Sequence, residues 1–140
     1  MTALTQLVRL QRWTLDEKRQ KLAQLERLAA RLRSDLETLE GDLETEKAKA
    51  GADLEATRAL TSYAAAAAER RRTFQQSITE VEVEMEAARG EIEAVFRELK
   101  RYEQGLETHE QREAKKRAQR EQAALDELGQ TSAQRRRQSR

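Results

Sequence analysis

The sequence has no cysteine and no proline, and only 4% of its 140 residues are aromatic. Without cysteine there is neither a disulfide framework nor a thiolate metal site, and nothing calls for an oxidising compartment, which fits a cytosolic protein. Two Phe, two Tyr and one Trp cannot fill the interior of a globular domain of this length. Apolar burial must therefore come from a thin seam of Leu, Ala, Val and Ile between helices.

Long apolar runs are also missing. The first residues, "MTALTQLVRLQRW", reach Arg9 after eight residues, and 18 apolar residues never occur together. We therefore expect neither a secretory signal peptide nor a membrane span. The net charge is only +1 but is unevenly distributed: residues 1–33 carry eight basic and three acidic side chains, residues 111–140 nine and four, and residues 76–107 nine Glu against four basic side chains.

Two long stretches repeat apolar residues with the heptad spacing of a coiled coil. The a positions of the first are Val8, Leu15, Leu22, Ala29, Leu36, Leu43 and Ala50. The second seam runs through Phe74, Ile78, Val81, Met85, Ala88, Ile92, Val95, Leu99, Tyr102, Leu106 and His109. The pattern predicts an all-α fold, an antiparallel two-helix coiled-coil hairpin with a C-terminal helical overhang.

The reversal is predicted where the periodicity fails. Gly51 follows two lysines, as at a helix end, and Thr61 or Ser62 can cap a new helix in front of the alanine run. We expect a single hairpin domain over residues 1–129, with helix one over about 3–50, a turn over about 51–61 and helix two over about 62–129. Residues 130–140 lack apolar spacing and are predicted to be a disordered basic tail.

Charge favours one register of the hairpin. A fold about Thr57 sets Ala29 opposite Met85 and Leu32 near Val81, and it places the arginines at 70–72 against the acidic end of helix one. A fold about residue 60 or 61 would also keep the a positions of the two helices facing each other, and it stays open. In the first register the overhang, residues 114–129, extends roughly 24 Å beyond helix one.

Catalytic chemistry has no support in the sequence. His109 has no nearby Ser, Cys or second His to form a nucleophile and base pair, and a packing role is more common for a seam histidine. Glutamates at helical spacing, such as Glu80 and Glu84, are most simply a solvated face. No glycine-rich phosphate loop occurs. We expect no enzyme activity, no cofactor and no metal.

Some apolar residues are not explained by the seam. Leu7, Leu10 and Trp13 recur every three residues and form an N-terminal ridge, and Leu125 and Leu128 form a second stripe on the overhang. An exposed tryptophan flanked by leucines favours partner binding, with end fraying as the alternative.

Four segments together resemble the flagellar export protein FliJ family, most closely its alphaproteobacterial branch. They are "RLQRWTLDEKRQKLAQLE", "YAAAAAERRRTFQQSI", "VFRELKRYE" and "REQAALDELG", and they occur in the same order as in that family. The resemblance implies a non-enzymatic stalk of the type III export apparatus, in the cytoplasm and peripherally associated with the inner membrane at the flagellar base.

The resemblance also implies partners. The open end, with Leu7, Leu10, Trp13, Leu125 and Leu128, would insert into the hexameric export ATPase FliI. The family also contacts the cytoplasmic domain of the export gate FlhA and recycles flagellar export chaperones. Its gate-contacting run matches Phe74, Ile78, Val81 and Met85, although the favoured register buries these four against helix one. Membrane contact would be indirect only.

Two other functions stay open at the level of sequence. A structural coiled coil could form a dimeric rod in which residues 51–62 are a mere interruption. Nucleic-acid binding through the basic ends is disfavoured by the near-neutral total charge and by the lack of interleaved aromatics, so we expect no nucleic acid among the partners.

Overall fold

In a computed structural model, which describes residues 3–51 and 53–139, the chain forms two α-helices. Helix α1 spans Ala3–Ala50 and helix α2 spans Leu54–Gln138. They pack against each other as a helical hairpin, and the described part of the chain contains no strand. The predicted all-α hairpin is confirmed.

Helix α1 ends at a glycine. Gly51 has a φ of +53°, in the left-handed region where a side chain is disfavoured, and it is the one described residue with a positive φ. Lys47 and Lys49 lie in the last turn of α1, where cations complement the helix dipole. The predicted end of the first helix is therefore confirmed.

Helix α2 begins earlier than the sequence indicated. The prediction of a start at Thr61 or Ser62 is wrong, because Asp53 already caps a helix that begins at Leu54. The backbone N–H of Glu55 donates to Asp53 Oδ1 at 3.3 Å, and the N–H of Thr57 donates to the Asp53 carbonyl at 2.9 Å.

The connection is accordingly restricted to residues 51–53 rather than 51–61, and Ala52 lies outside the described residues. The predicted disordered tail over 130–140 is also wrong, since α2 continues to Gln138. Ala, Gln and Arg have high helix propensity. The three arginines in the last turn stabilise the helix further, because their positive charge interacts favourably with the negative end of the helix dipole. Like Ala52, residues 1, 2 and 140 lie outside the described part of the chain.

The chain divides into two compact units, one containing the residues up to Arg12 and from Arg97 onward, the other Trp13–Phe96. The core of the second unit is the contact of fully buried Ala29 with Val81 and Met85, a small residue of α1 against larger ones of α2. Three half-buried leucines of α1 pack against this core: Leu22, Leu25 and Leu32. In the first unit, Val8 and Leu99 are buried.

Ion pairs join the helices on the flanks of the second unit. They are Lys18–Glu91 at 3.1 Å, Arg33–Glu82 at 2.6 Å and Glu40–Arg71 at 3.2 Å. Two of these pairs join a basic residue of α1 to a Glu of α2, and the third joins Arg71 to the acidic end of α1. Both arrangements agree with the favoured register. The cluster of Ala29 with Met85 agrees with that register and does not fit a fold about residue 60 or 61.

Candidate interaction surfaces

The N-terminal ridge is exposed, as its position outside the seam predicted. Leu7 and Leu10 belong to the first unit, and Leu10 is 53% exposed. Trp13, the first residue of the second unit, is 60% exposed. Val8 and Leu15 on the same helix are buried, so the helical spacing itself turns the ridge away from the seam. A large indole left in water is costly, which makes this ridge a candidate partner surface.

The overhang is exposed throughout. Leu125 and Leu128 are 62% and 64% exposed, and every residue from 107 to 139 is exposed. The seam of α2 ends at half-buried Leu106, so the prediction that His109 belongs to the seam is wrong: its side chain is exposed. Neither leucine is covered by α1, and both are available to a partner.

The residues expected to contact the export gate lie in the hairpin interface. Val81 and Met85 are buried in the core cluster, and Phe74 and Ile78 are half-buried. This placement follows the favoured register, which packs the four residues against α1. A partner approaching the intact hairpin would meet mainly the neighbouring outer-face side chains at this level.

Sequence reasoning missed several exposed apolar residues. Val83 and Leu54 are about two-thirds exposed, and Tyr63 is also exposed. Val83 could have been found, because it falls two residues after Val81 and hence on the opposite side of α2. Leu54 could not, because it was placed in a loop. Near the turn, Tyr63 and Leu60 help to line a cavity of about 240 Å³ that is open to solvent.

Two glutamates of α2 have pKa values below their ordinary value. The hydrogen bond from Lys18, together with its charge, lowers the pKa of Glu91. Partial burial raises the pKa of Glu103, but hydrogen bonds from Lys100 and Arg12 outweigh it, and the net pKa is lowered. Both carboxylates are therefore ionised at neutral pH, and each forms a solvent-accessible ion pair with a basic residue of α1.

Within residues 3–51 and 53–139, no group of three His, Cys, Asp or Glu side chains is arranged to hold a metal ion. The described seam contains one polar irregularity: Gln11 Oε1 is buried without a hydrogen-bond donor. An amide oxygen in this state costs stability rather than indicating chemistry. Neither described helix has a stretch apolar enough to cross a membrane.

The surfaces available for function are thus an exposed N-terminal ridge and an exposed overhang, presented by a helical hairpin. Comparisons with protein-family models, with curated proteins and with solved structures find no match to this chain.

Proposed function

We propose that this chain is a non-enzymatic stalk of the flagellar type III export apparatus, which docks its chain ends into the export ATPase FliI and couples it to the export gate FlhA. In this role it binds no cofactor or nucleic acid, helps to recycle flagellar export chaperones, and meets the inner membrane only through the apparatus at the flagellar base.

The observation that carries this proposal is the exposure of Trp13 in a chain with very few aromatic residues. Trp is enriched among the residues that dominate binding energy, and leucines at both chain ends are exposed as well. The ordered resemblance of four segments to the FliJ family selects the export ATPase as the partner. That resemblance also accounts for the helical hairpin.

A stalk works by transmitting force and position, for which two packed helices are suited. Interhelical ion pairs and the Ala29–Met85 contact hold the two helices in one register. Within residues 13–96 the packed helices therefore form a stiff element rather than a flexible linker. The gate contact is proposed for the outer face beside the run from Phe74 to Met85, because the run itself is largely buried.

The direct test is capture of the purified flagellar export ATPase of the same bacterium by the immobilised chain. Replacing the two most exposed ridge residues, Leu10→Ala with Trp13→Ala, should reduce capture at least about tenfold, because a central Trp contact is commonly worth 2 kcal/mol or more. The matched control is Leu54→Ala with Val83→Ala, which removes apolar side chains of similar exposure from other surfaces.

Far-UV circular dichroism should show both double variants as helical as the parent chain. Equal capture of the ATPase by the ridge variant, the control variant and the parent would remove the ridge from the proposal. No capture by the parent at any practical concentration would reject the ATPase as the partner.

The competing function, a dimeric rod built from one unbroken helix, has no structural support. The first helix ends at Ala50, directly before Gly51, a new helix is capped by Asp53, and the two helices pack against each other within the chain. A structural role for the hairpin itself remains the alternative, and it predicts normal function after the ridge is removed.

A further inference from the structure

Beyond the end of the hairpin core the overhang carries a stripe of its own, on a different face of α2 from the hairpin seam, whose steps would continue to Glu113, Lys116 and Arg120. The positions of this stripe follow the alternating steps of four and three residues that place side chains on one face of a helix. The stripe consists of Ala114, Ala118, Glu121, Leu125 and Leu128. All five residues are exposed, and the helix is unbroken from Leu54 to Gln138. This stripe is therefore open to a partner helix along its described length.

The flanks of this stripe carry charge of one sign. Lys115 and Arg117 border Ala118 on its two sides, at the positions that face the flanks of a partner helix. Within the described residues neither side chain forms an ion pair, whereas Lys116, which lies off the stripe, is 3.8 Å from Glu113. Farther along, Gln122 and Ala124 occupy the corresponding flanking positions and are neutral.

We propose that the overhang binds a single α-helix of another protein, with acidic residues on its flanks opposite Lys115 and Arg117 and a basic residue opposite Glu121. Charge complementarity selects this occupant. Acidic flanks would satisfy the two unpaired cations, and a lysine or arginine would satisfy the carboxylate within the stripe. The proposal deepens the proposed function, from which it takes the expectation that the overhang docks, and names the chemistry of the docking partner.

A second copy of the chain is a poor occupant. If two overhangs pair through their full stripes, in either orientation, Glu121 of one copy lies at the level of Glu121 of the other, and two carboxylates are brought together. An anionic lipid surface is also a poor occupant, because Glu121 interrupts the face that would enter the apolar layer. A helix of defined charge accommodates both the stripe and its carboxylate.

Two synthetic peptides of four heptads serve as probes against the full chain. Both carry Leu at the a and d positions and one Lys at the position facing Glu121; one has Glu at all e and g positions and the other has Lys there. Fluorescence anisotropy should show about tenfold tighter binding of the Glu peptide, since attraction at both flanks is replaced by repulsion in the Lys peptide. Leu125→Ala with Leu128→Ala should abolish binding of both.

Charge reversal of the chain gives the decisive comparison. Lys115→Glu with Arg117→Glu should switch the preference to the Lys peptide, whereas Lys116→Glu with Arg120→Glu changes the net charge equally at positions off the stripe and should keep the preference for the Glu peptide. Circular dichroism verifies that all variants remain helical.

Equal affinity for the two peptides, no binding of either, or the same effect from both charge reversals would overturn the proposal. Self-association of the parent chain that the Leu125 and Leu128 replacements remove would overturn it in favour of a second copy. Leucine-dependent binding to phosphatidylglycerol vesicles would overturn it in favour of a membrane. Because the readout uses peptides alone, a failure here is distinct from a failure to capture the ATPase.

Discussion

Replacing Met85 by alanine should weaken the hairpin measurably. Met85 is 8% exposed and packs against Ala29 and Val81 in the core of the second unit. The substitution removes three heavy atoms beyond Cβ, and the burial of each is worth roughly 0.8 kcal/mol. The higher helix propensity of alanine offsets this loss by only a few tenths of a kcal/mol. We expect the free energy of unfolding to fall by about 2 kcal/mol, which lowers the urea midpoint by about 1 M for a slope near 2 kcal/mol per M.

The matched control is Val83→Ala, two residues away on the same helix. Val83 is 65% exposed, so the lost burial is small and the higher helix propensity of alanine offsets it. The midpoint, followed by the circular dichroism signal at 222 nm, should stay within about 0.3 M of the parent. If Val83→Ala costs as much as Met85→Ala, or if Met85→Ala leaves the midpoint unchanged, the core does not lie where the structure places it.

Three further predictions concern local features of the hairpin. Gly51→Ala should lower the free energy of unfolding by about 1 kcal/mol, because the φ of Gly51 is +53°. Gly41 lies inside α1 with nothing within 4 Å of a new Cβ, so Gly41→Ala should raise the free energy of unfolding by up to about 1 kcal/mol. Urea midpoints test both predictions. Gln11→Leu should raise the midpoint, because it removes a buried oxygen that lacks a donor; a lower midpoint would mean that the amide is satisfied in solution. Glu91 and Glu103 have lowered pKa values, so their stabilisation is complete above the ordinary carboxylate pKa of 4.5 and is lost as pH falls through their lower folded values. The melting temperature should therefore drop below about pH 4.5 and drop less in Glu91→Gln, and an identical pH profile for that variant would contradict the assigned ion pair.

Much of the fold could be predicted from the sequence because a two-helix interface repeats one simple rule. Heptad spacing identified residues such as Val8, Leu15 and Leu99 that the structure buries, and charge distinguished the register. The start of α2 was missed because its only signal is the cap at Asp53. The residues that follow have too weak an apolar periodicity to indicate a helix. The helical end of α2 was missed because apolar spacing was taken as a requirement, whereas the propensity of Gln, Ala and Arg is sufficient there.

The candidate surfaces were only partly predictable. The exposure of Trp13 and Leu125 followed from their positions off the seam. Phe74 was assigned to a partner by resemblance alone and proves to be half-buried, since resemblance carries no information on which face a register covers. The charge on the flanks of the overhang stripe gained significance only when the segment beyond Leu106 was found to be fully exposed.

Hydrogen–deuterium exchange of the chain, alone and with the flagellar export ATPase, tests the central claim most directly. Backbone amides exchange quickly where helical hydrogen bonds open easily, and docking slows that opening. We expect the ATPase to protect residues 3–13 and 107–139, and to leave the Ala-rich start of α2 unchanged. Protection confined to the turn around residues 51–70, or no protection at all, would contradict a stalk that engages the ATPase through its chain ends.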